Sequence, residues 1–333
     1  MTSIYQQPPE KNHGSVELSI VVPVYNEREV LPICMQRLRQ VLKPLQLHYE
    51  LLFIDDGSDD GSAEWLLEQV VEQGRVRVVR LSRNFGKEAA MSAGLDLARG
   101  EAVLLFDADL QDPPELIPDM LEQWQKGADV VLMQRRSRGG DSALKRFTAN
   151  LFYRIFQRLT AFEIPADVGD FRLMSRCAVD ALKQLPERNR FMKGMFAWIG
   201  LPTVILRYDR APRAAGATKW NYLELVQLAL EGITSFSTRP LQLAIHLGLI
   251  TALCGGSYGV WIVYKELVYG DPVQGYPSLI AIITFLGGVQ LLTIGIIGEY
   301  VGKTYIESKQ RPVYIIREIS DLDTAASEIP LAE

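Results

Sequence analysis

Cysteine is scarce in this 333-residue chain: Cys34, Cys177 and Cys254 are odd in number and far apart. They offer neither a disulfide framework nor metal-ligand spacing, which excludes a stapled secreted domain and a thiolate metal centre. A reducing compartment follows, with each cysteine expected as a buried packing residue. The first 15 residues, MTSIYQQPPEKNHGS, lack the apolar run of a secretory signal. Residues 1–16 are therefore expected to be a disordered tail, and the chain after them to begin in the cytosol and stay there. No nucleic-acid motif is present and the formal net charge is −5, so nucleic acid is not an expected partner. Charge itself is missing from two stretches. Residues 242–264 carry no Asp, Glu, Lys or Arg over 23 positions, and residues 278–298 none over 21.

At a rise of about 1.5 Å per residue, each uncharged stretch covers roughly 30 Å as a helix, the thickness of a bilayer core. A transmembrane hairpin over 238–302 is expected, with membrane lipids as partners. Arg239 lies on one flank and Lys303, Lys309 and Arg311 on the other, whereas the connecting loop holds one Lys, one Glu and one Asp. The positive-inside rule then puts both chain ends, including a tail over 303–333, in the cytoplasm. Gly255, Gly256, Gly259, Gly287, Gly288, Gly295 and Gly298 suit close helix approach, within the hairpin or in a homo-oligomer.

Residues 17–237 alternate apolar β-branched runs with amphipathic ones. Strands are expected at 18–25, 49–56, 76–81, 101–109 and 128–133, and helices at 27–41, after the turn at 57–62, at 87–99 and after Pro113-Pro114. Strands alternating with helices imply an α/β fold with a mostly parallel sheet covered on both faces. From Arg135 to Arg158, seven basic residues meet the single acid Asp141, with apolar residues interleaved at helical spacing. Such a helix, near 141–160, suits an anionic membrane surface, or is an ordinary helix with a solvated basic face. A second helix, near 220–236, leads into the first span.

Ligands of such sheets bind at the carboxyl ends of the strands, and acids gather there. Asp55 and Asp56 end the second strand in IDDGSDDGS, where they can accept hydrogen bonds from a base or ribose, or cap the turn. FDADLQDP sets Asp107 and Asp109 at the end of the fourth, with Gln111 following. Hard divalent cations prefer carboxylate oxygens and usually also hold substrate phosphates. In DVGDFRLM, Asp167 and Asp170 flank Gly169, and either can serve as an acid in the site or as a loop cap. Downstream, RYDRAPRAAGATKW supplies Arg207, Arg210, Arg213 and Lys219 just ahead of the first span, suited to a lipid phosphate or to positive-inside flanking.

Taken together, SIVVPVYNE, DDGSDDG, RNFGKEAAMSAGL, DADLQDPP, GDFRLM and AGATKW resemble family 2 glycosyltransferases, closest to the polyprenyl-phosphate branch that includes dolichol-phosphate mannose synthase. The resemblance covers nearly all of residues 17–310. It implies a GT-A, Rossmann-like catalytic domain and inverting transfer from a nucleotide-sugar donor to a polyprenyl phosphate acceptor at the cytoplasmic membrane. By similarity, Pro23, Tyr25, Glu27 and one or both of Asp55 and Asp56 line the nucleotide pocket. Asp107, Asp109 and Gln111 hold Mg²⁺ or Mn²⁺ with the diphosphate, Asp170 lies near the reacting centre, and Arg135, Arg210, Arg213 and Lys219 meet the acceptor phosphate. Glucose from UDP-glucose is the expected sugar, with mannose, N-acetylglucosamine and aminoarabinose donors as alternatives. Processive polysaccharide synthases carry a Gln-x-x-Arg-Trp motif and more spans, and neither is found here. Nucleotidyl transfer would want a Gly-rich basic opening loop in place of Pro23–Glu27. A non-catalytic membrane scaffold on the same fold is opposed by the intact Asp107, Asp109 and Asp170.

Overall fold

LSIVVPV forms β1 (Leu18–Val24), buried along nearly its whole length, as a strand covered on both faces must be. The computed structural model describes residues 16–73, 75–136, 165, 168–209, 232–269 and 276–320. The expected tail, the helix near 141–160, nearly all of the one near 220–236, and the chain beyond 320 lie outside the described residues.

Around β1 the chain adds β2 (Tyr49–Asp55), β3 (Val76–Leu81), β4 (Ala102–Leu105), β5 (Val130–Arg135), β6 (Val168–Ser175), β7 (Thr203–Tyr208) and β8 (Ile316–Ser320). They make one sheet of order β7-β5-β6-β4-β1-β2-β3-β8. The pairs within β4-β1-β2-β3 are parallel, as is β5–β7, while β6 runs antiparallel between β4 and β5. The expected mostly parallel α/β architecture is present, with two antiparallel additions. The second is β8, which pairs with the edge of β3 after the apolar helices have intervened in the chain.

Helix α1 (Leu31–Leu42) buries Leu31, Cys34, Met35, Leu38 and Leu42, a 3–4 residue stripe. It starts four residues later than its periodicity predicts. The amides of Glu27 and Arg28 donate to Ser62 Oγ and Asp60 Oδ2, so this stretch is a turn sewn to the next loop. Helices α2 (Ser62–Gln73), α3 (Lys87–Leu97) and α4 (Ile117–Gln125) follow β2, β3 and β4, and α5 (Arg176–Lys183) and α6 (Met192–Trp198) follow β6. Residues 89–95 of α3 are all buried. A Cβ on Gly94 would sit 2.1 Å from Val21 Cγ1, so α3 approaches β1 as closely as only glycine permits. That contact fixes where the amino end of α3 emerges, at the carboxyl end of the sheet. Strand β4 is shorter than the expected 101–109, because the chain turns away at Phe106 and Leu110 takes a φ of 56°.

A second unit holds α7 (Arg239–Tyr269) and α8 (Tyr276–Ser308). Both are long and apolar enough to cross a membrane, and they extend beyond the uncharged stretches that announced them. Leu243, Leu253, Val260, Trp261, Leu267 and Leu291 are exposed on them, a display of apolar side chains that water does not tolerate on this scale. Of the cysteines, Cys34 is buried, and burial pushes its thiol up to about 12. Cys177 and Cys254 are exposed, contrary to expectation.

Candidate active site

The loops at the carboxyl ends of β1 and β2 are stitched into one floor. Asn26, at a φ of 55°, donates its amide to Ser58 Oγ at 3.0 Å and accepts the Asp59 amide on Oδ1 at 3.0 Å. Pro23 and Glu27 are half-buried and Tyr25 is exposed at this edge. Asp55 is fully buried, accepts the Ser58 amide and lies 3.7 Å from Arg80 Nε. Burial raises its pKa against those partners.

Asp56 serves differently. Its two oxygens accept the amides of Phe85 at 2.7 Å and Gly86 at 2.8 Å. Burial raises its pKa too, opposed by those two bonds. Gly86 has a φ of 97°, a conformation that favours glycine, and it caps α3. Asp56 thus folds the RNFGK turn and sets the direction in which Lys87 leaves it.

The Lys87 ammonium reaches two acids on two other elements. It lies 2.7 Å from Asp107 Oδ1 and 2.8 Å from Asp107 Oδ2, and 2.7 Å from Asp170 Oδ2. Desolvation by the surrounding protein opposes the charge on Lys87, although its side chain stays 45% exposed, but Asp170 and Asp107 outweigh it and hold its pKa above the ordinary lysine value. Around Asp170, burial favours the neutral acid. Lys87, Lys193 and Arg172 overcome that and keep the carboxyl well below the usual range. Asp170 Oδ1 is buried and has no hydrogen-bond partner among the described residues.

Behind Asp170 stands a layer that the sequence did not single out. Arg172 is buried, donates to Gly169 O at 2.7 Å and stacks with its Cζ 3.7 Å from the Phe196 ring centre. Glu88 accepts the Met192 amide at 3.1 Å, and burial, then Asp170, pushes its carboxyl up to about 7. Lys87 and Glu88 both lie in the RNFGKEAAMSAGL segment, whose motif was legible although their roles were not.

Asp109 Oδ1 accepts the Gln111 amide at 3.1 Å, so the DADLQ turn brings Asp107, Asp109 and Gln111 to one strand end. No group of three His, Cys, Asp or Glu residues among the described ones could hold a metal by itself. The donor set nevertheless fits a hard divalent cation that takes one or two carboxylates plus substrate phosphates. The ammonium already seated on Asp107 marks the place as favourable to positive charge. Arg135 ends β5 with its Nη2 3.5 Å from where a Gly169 Cβ would be, so it borders the Asp170 segment. Its neighbour Tyr208 hydrogen-bonds buried Asp112, a pair with no signature in the sequence. Arg210, Arg213, Lys219 and Asp167 lie outside the described residues.

Comparison with known proteins places the chain in a family. Glycosyl transferase family 2 matches residues 19–183, and the GtrB C-terminal hairpin matches residues 239–304. The bactoprenol glucosyl transferase of Shigella phage SfV is 50% identical over 304 residues, covering 91% of this chain and 98% of that protein. The prophage bactoprenol glucosyl transferase homolog of Escherichia coli is 47% identical, covering 91% and 99%. Among solved structures, glucosyl-3-phosphoglycerate synthase of Mycobacterium tuberculosis is 18% identical with a TM-score of 0.46, covering 66% of this chain and 77% of that one.

Proposed function

Because the chain belongs to glycosyl transferase family 2, we propose that it transfers glucose from UDP-glucose, with inversion, to a polyprenyl phosphate at the cytoplasmic face of a membrane. The observation that carries this reading is the pairing of a strand-end site, Asp107–Lys87–Asp170, with two helices fit to cross a bilayer. Relatives whose names specify bactoprenol glucosyl transfer match 91% of this chain over 98% and 99% of their own length, which supports the reading. The chain leaves the sheet after β7 and rejoins it as β8, so both ends of the apolar hairpin connect to the same catalytic unit. An even number of crossings suits that connectivity, and Arg239, Lys303, Lys309 and Arg311 favour the cytoplasmic side.

In this reading Pro23, Tyr25, Glu27 and Asp55 line the base and ribose, while Asp56 acts mainly through the turn it holds. Asp107, Asp109 and Gln111 take Mg²⁺ or Mn²⁺, which when bound neutralises the diphosphate leaving group. Arg135 is assigned to the acceptor phosphate, and the sequence resemblance assigns Arg210, Arg213 and Lys219 to it as well. An acceptor phosphate oxygen forms the bond to the anomeric carbon. The bond from that carbon to the diphosphate oxygen breaks, and the nucleoside diphosphate leaves with the electron pair. Both reactants are anions, and two unit charges about 4 Å apart repel by roughly 4 kcal/mol at an effective dielectric near 20. Cationic side chains around the site therefore supply the main catalytic contribution.

Proton removal is a lesser need, since a phosphate monoester has a second pKa of about 6. Asp170 is held well below the carboxylate range, which makes it a poor base. Its seat between Lys87 and Arg172 suits positioning instead. The test is transfer to undecaprenyl phosphate from a panel of labelled nucleotide-sugars with Mg²⁺ or Mn²⁺. A labelled lipid product from UDP-glucose, absent in Asp109→Ala, is expected. Product from another donor alone would reassign the sugar, and no lipid product from any donor would sink the reading.

A further inference from the structure

Two acids crowd one another in this site. Strands β4 and β6 pair antiparallel as far as Leu105 opposite Arg172. The next residues, Phe106 and Phe171, meet edge-on with ring centres 5.6 Å apart. Beyond them Asp107 and Asp170 both reach one ammonium, so their carboxylates lie close enough to repel. The chain answers with a cation of its own, because Lys87 Nζ sits within 2.8 Å of both Asp107 oxygens and 2.7 Å from Asp170.

We propose that Lys87 competes with the divalent cation for Asp107, and that it is the residue through which cation and nucleoside diphosphate bind cooperatively. The inference rests on the reading that Asp107 and Asp109 receive that cation. Four observations support it. The ammonium straddles both oxygens of Asp107, so a cation approaching that carboxylate meets positive charge first. The lysine is held there by construction, through Gly86 at a φ of 97° and the two amides gripped by Asp56. Its side chain is 45% exposed, which leaves it room to withdraw from Asp107 without repacking the core. Asp170 is only 15% exposed and its Oδ1 has no hydrogen-bond partner among the described residues, so the ammonium is better retained there than at Asp107.

Cooperativity follows from the charge count. A cation that enters alone must displace an ammonium from Asp107 and leave it half-satisfied. A cation that enters with a diphosphate brings anionic oxygens to which the displaced ammonium can turn. Each ligand then favours the other by the same factor, as linkage requires. An isolated lysine–carboxylate pair at a protein surface would do none of this, being weak and solvated. The difference here is that one ammonium serves two acids from separate segments in a single site.

The test measures Mn²⁺ binding to the full chain in detergent by electron paramagnetic resonance of free Mn²⁺, with and without UDP. Lys87→Met is expected to bind Mn²⁺ about tenfold tighter than wild type in the absence of UDP, and to lose most of the further gain that UDP confers. Lys87→Arg keeps the charge and should stay near wild type in both respects. Lys87→Gln replaces Lys87→Met if the latter does not fold, with folding judged by thermal unfolding. Unchanged or weaker Mn²⁺ binding in the neutral variant, with binding still abolished by Asp109→Ala, overturns the competition and leaves the cation reading standing. Mn²⁺ binding that survives Asp109→Ala unchanged overturns the cation reading itself, and the role of Lys87 with it.

Discussion

The carboxylate of Asp170 lies 2.7 Å from the ammonium of Lys87, 83 residues earlier in the chain. One residue opens the helix after the third strand, and the other is the third residue of a strand inserted antiparallel between the fourth and fifth. Under the proposed function, their meeting places an anion and a cation beside the reacting centre.

Replacement of Asp170 by Asn keeps its shape and removes its charge. The expected result is a fall in kcat of about a hundredfold or more, with donor affinity changed little. Because burial is outweighed by Lys87, Lys193 and Arg172 and the acid stays ionised, the deficit should persist between pH 6 and 9. A deficit that disappears at high pH, where the acceptor phosphate is fully ionised, would restore a proton-accepting role.

Asp56→Ala removes a buried carboxylate that accepts two partly buried amides. Hydrogen bonds to a charged group contribute about 1.5–3 kcal/mol each, so a loss near 3 kcal/mol is expected in denaturant unfolding. Asp56→Asn retains one acceptor oxygen and should lose less. Equal loss in both variants would show that the turn does not depend on the second bond.

Glu88 gives a pH signature. Its folded pKa, about 7, lies above the ordinary value of 4.5, so the folded state binds the extra proton between those values. Stability therefore declines as pH rises from about 4.5 to 7, and the full penalty is present above that. Glu88→Gln should gain about 1–2 kcal/mol over wild type at pH 8 and show no gain at pH 4. A constant difference across that range would remove the assignment.

Gly94→Ala inserts a methyl group 2.1 Å from Val21 Cγ1, with Ile54 Cγ1 at 3.3 Å. Overpacking of this kind costs about 1–3 kcal/mol. Val21→Ala in the same chain should recover part of the loss, and the interaction energy of that double-mutant cycle is the measurement. Strict additivity would mean that the two side chains do not compete for space.

Much of the framework was legible because local chemistry sets it. VRVVRL is bounded by turn and charged residues and is a strand over its full expected range, Val76–Leu81. The start of α1 was not legible, because the groups that hold the turn before it, Asp60 and Ser62, lie more than thirty residues away. The acidic strand ends were readable as a pattern, and the family resemblance supplied Asp170. Lys87 escaped because a lysine at a helix start normally reads as solvated, and its partners are 20 and 83 residues distant. The antiparallel course of β6 and the return of β8 were also hidden. IREIS is five residues long and carries no pattern that distinguishes an edge strand from a tail.

That returning strand has a practical side. Cutting the chain ahead of Arg239 to obtain a water-soluble enzyme would discard Ile316–Ser320 along with the apolar helices. The outer edge of Val78–Leu81 would then offer unpaired amides and carbonyls to any neighbouring molecule. The tether of Tyr314 to Asp96 would go with it. A soluble version is better made by excising the hairpin and splicing the residues from Pro312 onward back behind the catalytic unit, so that the sheet keeps its selvedge.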